Sequence, residues 1–241
     1  MAIASDEIHR IAALANLEIE DSTESLSETL GSILDYVAML DELDVTHTEG
    51  QVDRLERYRQ WLIHEAIPAG GLGPSEGDRI FDRHLADSLM YLRGFPRAAR
   101  TIIDIGSGVG LPGIPVAISR PESSVVILDR SERRTWLARR AVRILDLENV
   151  TVVTQDANDV MVPGGPATFD VALFRASLPI APAAAVLGSL LEADGVGLLG
   201  VSRLPDEPDI PDPPPGVHFD MTAEVSSVLD SPFWLLRMRI V

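Results

Sequence analysis

A glycine-rich turn constrains this chain more than any other feature of its sequence. It reads Ile103-Asp104-Ile105-Gly106-Ser107-Gly108-Val109-Gly110-Leu111-Pro112-Gly113 and begins within a short aliphatic run. Glycines at alternate positions let the main chain turn tightly and approach a ligand that any Cβ would displace. The pattern therefore predicts a strand, a ligand-binding turn and a helix. A tight strand-to-helix turn with no ligand is the alternative interpretation.

Strand and helix patterns alternate along the second half of the chain. The aliphatic or β-branched runs are Thr101–Ile105, Val125–Leu128, Val150–Val153, Phe169–Phe174 and Val196–Val201. Near-continuous apolar character suits strands that helices cover on both faces, and the intervening segments are long enough for right-handed crossovers. An acidic, proline-rich surface connection at 205–215 should lead to a closing hairpin, Ala223–Val228 with Phe233–Val241. We predict an α/β, Rossmann-like fold with a mostly parallel, seven-stranded sheet.

Two carboxylates beside the turn favour S-adenosylmethionine as the cofactor. Asp104, two residues before the first glycine, can orient the turn or engage the ammonium group of the ligand. Asp129 ends the next strand and is placed to accept hydrogen bonds from ribose hydroxyls. After the third strand, residues 154–158 offer side chains and amides to an adenine edge. Asp156 in that segment can equally be a solvated turn residue.

Composition restricts the remaining possibilities. Cysteine is absent, which excludes disulfides and cysteine-ligated metals, and the histidines lie in no ligand-like spacing, so we predict no metal site. No apolar run reaches the roughly 20 residues of a membrane span, and the N-terminus lacks the pattern of a signal peptide. We therefore expect a cytoplasmic protein without membrane contact. The formal net charge is −17, and residues 1–56 hold fourteen acids and two arginines. This asymmetry indicates a boundary.

The acidic N-terminal segment has the pattern of two amphipathic helices. One begins near Ser5, and the second begins near Ser22 with apolar residues at helical spacing to Leu40. Because short helices are marginal alone, the stripe needs a partner, either the following domain or another protein. The predicted organisation is a helical hairpin at 1–50, a helix with a Gly/Pro-rich linker at 51–80, and the α/β domain at 81–241.

The segments Ile8–Ile19 and Ile33–Asp44 closely resemble GatC, the C subunit of the tRNA-dependent amidotransferase. In that family the subunit has no catalytic residues and forms a small helical clamp on the amidase subunit. The resemblance implies that residues 1–50 bind a protein partner linked to translation.

The α/β domain carries a second resemblance. Arg83-His84-Leu85-Ala86-Asp87-Ser88-Leu89, the continuation of the turn as Leu111-Pro112-Gly113-Ile114-Pro115, and Phe174-Arg175-Ala176 together resemble the RsmG (GidB) family. That family methylates guanine N7 in small-subunit ribosomal RNA with a class I methyltransferase fold. The resemblance implies that Gly106 and Leu111 line the cofactor pocket, that Ala157 and Asn158 hold the adenosine end, and that Arg175 lies at the cofactor–substrate junction.

The predicted site combines both lines of reasoning. His84 and Asp87, three residues apart on a helix, can share a face near the methyl end of the cofactor, for orientation or as a general base. The catalytic candidates are Arg175, His84 and Asp87. The cofactor-binding candidates are Asp104, Gly106, Ser107, Gly108, Leu111, Asp129, Ala157, Asn158 and Arg175.

Three functions are compatible with these features. The first is methylation of ribosomal RNA, with an effect on translational fidelity. The second is a noncatalytic, cofactor-binding scaffold that recruits a translation partner, and the third is methylation of a small molecule. Six arginines between Arg130 and Arg143 are the one concentrated basic run. They can grip RNA phosphates or form ion pairs with the acidic hairpin.

Overall fold

A computed structural model describes residues 23–160, 162, 165 and 167–241, with side chains in the first helix from Leu30 onward. The helix predicted from Ser5 lies outside the described residues. Within the part that is described, no helix is long and apolar enough to cross a membrane.

The centre of the fold is a seven-stranded sheet in the order β3-β2-β1-β4-β5-β7-β6. Neighbouring strands from β3 to β5 are parallel, whereas β7 is antiparallel to β5 and β6 is antiparallel to β7. The predicted Rossmann-like fold is confirmed. The strands are β1 Thr101–Ile105, β2 Ser124–Asp129, β3 Val150–Thr154, β4 Phe169–Arg175, β5 Leu191–Arg203, β6 Val217–Glu224 and β7 Phe233–Ile240.

The predicted first strand of the closing hairpin, Ala223–Val228, is wrong. That strand is β6, and its register with β7 runs from Val217 opposite Ile240 to Glu224 opposite Phe233. β6 lies at the edge of the sheet, where alternate side chains such as His218 and Asp220 face solvent. Charged residues on an edge strand discourage pairing with other chains and weaken its apolar pattern.

Helices cover both faces of the sheet. The second of them, α2, begins with a capping box in which Thr48 Oγ1 accepts from the Gln51 amide at 3.3 Å and Gln51 Oε1 accepts from the Thr48 amide at 2.8 Å. It continues as a π-helical turn over Leu62–Ala66, so the helix predicted within residues 51–80 is present at the start of that segment. The helices are α1 Thr23–Glu42, α2 Glu49–Trp61, α3 Ala86–Met90, α4 Gly113–Ser119, α5 Glu132–Ile144 and α6 Ile180–Leu190, with shorter helical turns at Gly77–Arg79, Ile80–Leu85 and Tyr91–Gly94.

The described part of the N-terminal segment packs on its own chain. Tyr36, Met39 and Leu40 of α1 are fully buried and belong to the same apolar cluster as α2, α4 and α5 on one face of the sheet. Their burial removes this part of the apolar stripe from water, which an isolated helix cannot do. Leu34 remains 51% exposed. From Leu30 onward, the following domain therefore covers most of the stripe and leaves Leu34 uncovered.

Tyr91 joins the carboxyl ends of two central strands. Its buried hydroxyl donates to the Phe174 carbonyl of β4 at 2.7 Å and accepts from the Gly200 amide of β5 at 3.0 Å. Tyr36 is also fully buried, but its hydroxyl has no hydrogen-bond partner among the described residues. The two buried tyrosines can therefore be compared directly, because the Tyr91 hydroxyl is hydrogen-bonded and the Tyr36 hydroxyl is not.

We expect Tyr91→Phe to lower the free energy of unfolding by about 1–3 kcal/mol, because it leaves a buried carbonyl and a buried amide with no partner. Tyr36→Phe should be neutral or slightly stabilising, because it removes a hydroxyl that makes no hydrogen bond. Urea denaturation of both variants measures the difference. Equal losses in the two variants would contradict the assigned role of Tyr91.

Candidate cofactor and acceptor site

A cavity of about 590 Å³ lies at the carboxyl edge of the sheet, within the range of small-molecule sites. β1 and β4 are neighbours there, and the strand order reverses between them. In open α/β sheets, ligands bind in the crevice at this reversal. The polar part of the lining includes Gly106, Asp129, Asp156, Asn158 and Ser177 together with Arg130, Arg134 and Gln155, and the apolar part includes Leu128, Leu178 and Val186.

The glycine turn forms one wall of this first cavity. Gly106, Gly108 and Gly110 all have positive φ, at 69°, 62° and 110°. The Gly106 amide donates to the Leu128 carbonyl at 2.7 Å, which joins the turn to the end of β2. A Cβ on Gly106 would overlap the Ser177 side chain, whereas the space beside Gly108 is open. The turn therefore needs glycine both for its backbone conformation and for its close approach to Ser177.

Asp104 holds the turn from behind. It is fully buried, and its Oδ2 accepts from the Ser107 hydroxyl and from the Gly113 amide, the latter at 2.6 Å. Burial raises the pKa of Asp104 to about 7 and outweighs these hydrogen bonds, which lower it. Of the two roles considered for this carboxylate, the geometry favours orientation of the turn.

Asp129 connects the turn to the cavity. Its Oδ2 accepts from the Gly108 amide at 2.9 Å, and its Oδ1 accepts from the Ser131 amide at 2.8 Å. The side chain is 3% exposed and lines the cavity. Because an ionised carboxylate has about four acceptor positions, Asp129 can bind a ligand hydroxyl as well as the turn.

The other predicted cofactor residues divide into two groups. Ala157 and Asn158 line the cavity, where Asp156 Oδ1 accepts from Asn158 Nδ2 at 2.7 Å. Ser107 and Leu111 lie behind the turn instead. Ser107 bonds Asp104, and Leu111 is 4% exposed within the apolar cluster. Neither is among the residues that line the cavity.

The cavity fits a nucleoside with polar substituents. The hydroxyl of Ser177 lies in its wall, buried and without a hydrogen-bond partner among the described residues. Gly108 is not among the residues that line the cavity, but its amide bonds Asp129, which does, and the space beside it is open. Together with the acceptor positions of Asp129, these groups suit S-adenosylmethionine.

A second cavity, of about 510 Å³, adjoins the first, and Ala176 lines both. Arg175 ends β4, and Ser202 and Arg203 end β5, so the same edge of the sheet supplies these side chains. Ala176 has φ of 49°, an uncommon conformation for a residue with a Cβ. This bend separates the two cavities and directs Arg175 toward the second.

The side chains of Glu76, His84 and Arg175 form a hydrogen-bonded chain, which we call the relay. Arg175 Nη2 lies 2.8 Å from His84 Nδ1, and His84 Nε2 lies 2.8 Å from Glu76 Oε2. Because a guanidinium can only donate, His84 Nδ1 is the acceptor and Nε2 carries the proton given to Glu76. Burial and the charge of Arg175 lower the pKa of His84, although Glu76 opposes them. The imidazole is therefore neutral and orients Arg175.

Asp87 and Arg203 face each other across the second cavity. Asp87 Oδ1 lies 3.5 Å from Arg203 Nη1 and accepts no hydrogen bond from the described residues. Burial raises the pKa of Asp87 to about 7, even though Arg203 and Arg175 lower it. The buried Ser202 hydroxyl also has no partner in the described part of the chain. Polar groups on this wall are thus available to a ligand.

Sequence reasoning missed Glu76, Tyr91 and Arg203. Arg203 had a usable signal, since it follows a strand at the edge where α/β sheets bind ligands. Glu76 and Tyr91 had none, because their partners are distant in the sequence or follow an irregular turn.

The arginines of α5 do not form ion pairs with the described part of the acidic segment. Arg140 pairs with Glu65 at 2.5 Å and Arg134 approaches Asp129 at 3.8 Å. Neither acid belongs to residues 1–50, so the predicted pairing with the hairpin is wrong for residues 30–50. Residues 1–22 lie outside the described part of the chain.

This chain is similar to a methyltransferase of known structure and to relatives identified by their sequences. The mitomycin 7-O-methyltransferase MmcR is 16% identical and has a TM-score of 0.51, covering 76% of this chain and 60% of that one, which indicates a shared fold. The ribosomal RNA small subunit methyltransferase G of Frankia casuarinae is 36% identical over 143 residues, which are 59% of this chain and 54% of the relative. The protein of the same name from Mycobacterium leprae is 40% identical over 121 residues, 50% of this chain and 49% of the relative.

The chain thus spans about half the length of the curated relatives it matches. The family model GidB, described as rRNA small subunit methyltransferase G, matches residues 51–200, which include the glycine turn, the relay, the whole lining of the first cavity and part of the lining of the second. Because this match covers more than half of the sequence, the chain belongs to the RsmG (GidB) family of ribosomal RNA small subunit methyltransferases.

Proposed function

We propose that the chain is an S-adenosylmethionine-dependent methyltransferase that acts on guanine N7 of small-subunit ribosomal RNA and thereby influences translational fidelity. The observation that carries this proposal is the meeting of two cavities at Ala176. One offers the glycine turn and the Asp129 carboxylate to a nucleoside. The other offers guanidinium groups and buried acceptors to a second ligand.

The first cavity is the cofactor half of the proposed site. Bound S-adenosylmethionine supplies a methyl group carried on a sulfonium. We assign Asp129 to the ribose hydroxyls, Ala157 and Asn158 to the adenosine end, and the main chain at Gly106 and Gly108 to the wall of the pocket. Asp104 acts through the turn, since its contacts are with Ser107 and Gly113.

The second cavity is the acceptor half. Guanine N7 already carries a lone pair, so the protein must position the base and need not deprotonate it. The neutral His84 serves this purpose by orienting Arg175, while Asp87 and Ser202 offer hydrogen bonds to the base edge. We assign His84 as a positioning residue and Arg175 and Asp87 as contacts of the acceptor.

Calorimetry with S-adenosylhomocysteine tests the cofactor half. We expect the chain to bind it and Asp129→Ala to weaken the affinity at least tenfold, on the order of a charged hydrogen bond. Asp159→Ala, which removes a nearby exposed acid, should have no effect. The absence of wild-type affinity would overturn the cofactor assignment.

Transfer of labelled methyl groups to small-subunit ribosomal RNA lacking the mark, followed by mass spectrometry of its nucleosides, tests the acceptor half. We expect 7-methylguanosine as the product. Cofactor binding without transfer to this RNA would favour the scaffold or the small-molecule enzyme.

The relay predicts a specific kinetic signature. Glu76→Ala should lower kcat about tenfold and leave the KM for the cofactor unchanged. The reason is that Glu76 takes part in no proton transfer but sets the geometry of Arg175 through His84. Glu76→Gln, which retains an acceptor oxygen, should restore most of the rate.

The wild-type rate should also fall as pH drops through the pKa of His84, which lies below its ordinary value of about 6.5, because Nδ1 then carries a proton and cannot accept from Arg175. The His84→Gln variant should lack this acid limb. A rate that is independent of Glu76 would count against the relay.

We further propose that residues 1–50 bind a protein partner linked to translation, as their resemblance to GatC implies. Leu34 supports this, since it stays 51% exposed while Leu30, Tyr36, Met39 and Leu40 of the same helix are buried. In sedimentation velocity with the amidase subunit of the tRNA-dependent amidotransferase, we expect a complex that Leu34→Glu weakens. Leu204→Glu, at an equally exposed position, is the control. If no complex forms at micromolar concentrations, this partner is ruled out.

A further inference from the structure

The outer face of α5 presents a tryptophan to solvent. Trp136 is 60% exposed, whereas Trp61 is buried. Arg133, Arg140 and Arg143 lie three residues before it and four and seven residues after it. These spacings place all four side chains on one face of the helix. The face, which we call the Trp136 face, is therefore an aromatic ring surrounded by cations.

Two of the three arginines on this face form no ion pair with the described residues. Arg133 donates to the Ala69 carbonyl, and Arg139 donates to Thr154 Oγ1 at 3.0 Å, so both are bonded to uncharged oxygens. Within the described residues, Arg143 forms no side-chain hydrogen bond or ion pair. Arg140 pairs with Glu65, and Glu132 lies on the same face. The face keeps an excess of cations although the chain as a whole has a net charge of −17.

An exposed indole among guanidinium groups matches a strand of nucleic acid. Bases stack on aromatic rings whatever their sequence, and the phosphates between them attract arginine. An acidic peptide would satisfy the arginines but leave the ring without a flat partner. The same helix also reaches the site at its N-terminal end, because Arg134 in its first turn and Arg130 just before it line the first cavity.

We propose that the Trp136 face binds a single-stranded RNA segment next to the target nucleotide. One base stacks on Trp136, and the neighbouring phosphates contact Arg133 and Arg143. This inference rests on the proposed function, since it supplies the grip on RNA that the acidic chain otherwise lacks. The Trp136 face lies outside both cavities, so the proposal adds a separate RNA-binding surface to the site.

Fluorescence anisotropy with a labelled single-stranded oligoribonucleotide of about twelve nucleotides measures this contact. We expect Trp136→Ala to weaken binding about tenfold, and Trp136→Phe, which keeps an aromatic ring, to retain most of the affinity. Arg143→Ala should weaken binding and lower the slope of log K against log salt concentration by about one. Arg97→Ala removes an exposed arginine that precedes β1, at the opposite edge of the sheet, and should change neither.

Two further measurements separate this proposal from the proposed function. Calorimetry with S-adenosylhomocysteine should give the same affinity for Trp136→Ala as for the wild type. If the wild type methylates ribosomal RNA and Trp136→Ala binds the oligonucleotide and methylates equally well, the Trp136 face is overturned and the enzyme assignment stands. If Trp136→Ala loses affinity for a polyglutamate peptide but not for RNA, the occupant is an acidic protein segment and the RNA proposal fails.

Discussion

The site depends on two buried carboxylates that hold one glycine turn. Asp104 accepts from Ser107 and Gly113 behind the turn, and Asp129 accepts from Gly108 in front of it. These bonds tie the turn to the end of β1, to the end of β2 and to the start of α4. Because glycine has no Cβ, three glycines leave the segment conformationally free in the unfolded chain, and these contacts offset the entropy that is lost when the three adopt positive φ.

The acceptor half relies on a different kind of support. Tyr91 joins β4 to β5 just where Arg175 and Ser202 leave the sheet, and Glu76 orients Arg175 through His84. A guanidinium on a long side chain has many rotamers, so its position is set by the groups that bond it. The segment that contains Glu76 and His84 packs beside α2, which links the helical region before the sheet to the chemistry at its edge.

Acidic and basic residues are concentrated in different parts of the chain. The acids concentrate before α2, while the unneutralised arginines concentrate on α5 beside the first cavity. An acidic molecule repels phosphate at long range, so a local cationic face determines where RNA can approach. Arg133 and Arg139 are bonded to carbonyl and hydroxyl oxygens rather than to acids, so their charge remains available.

Local periodicity and fixed spacing were enough to predict the succession of strands and helices, the glycine turn, and the carboxylates at Asp104 and Asp129. The packing of the elements, in contrast, places Leu111 behind the turn, starts β6 at Val217, and brings Glu76, His84 and Arg175 into one relay. Such contacts join residues that are far apart in the chain or lie in irregular turns. Their geometry depends on how the layers pack, which no local pattern encodes.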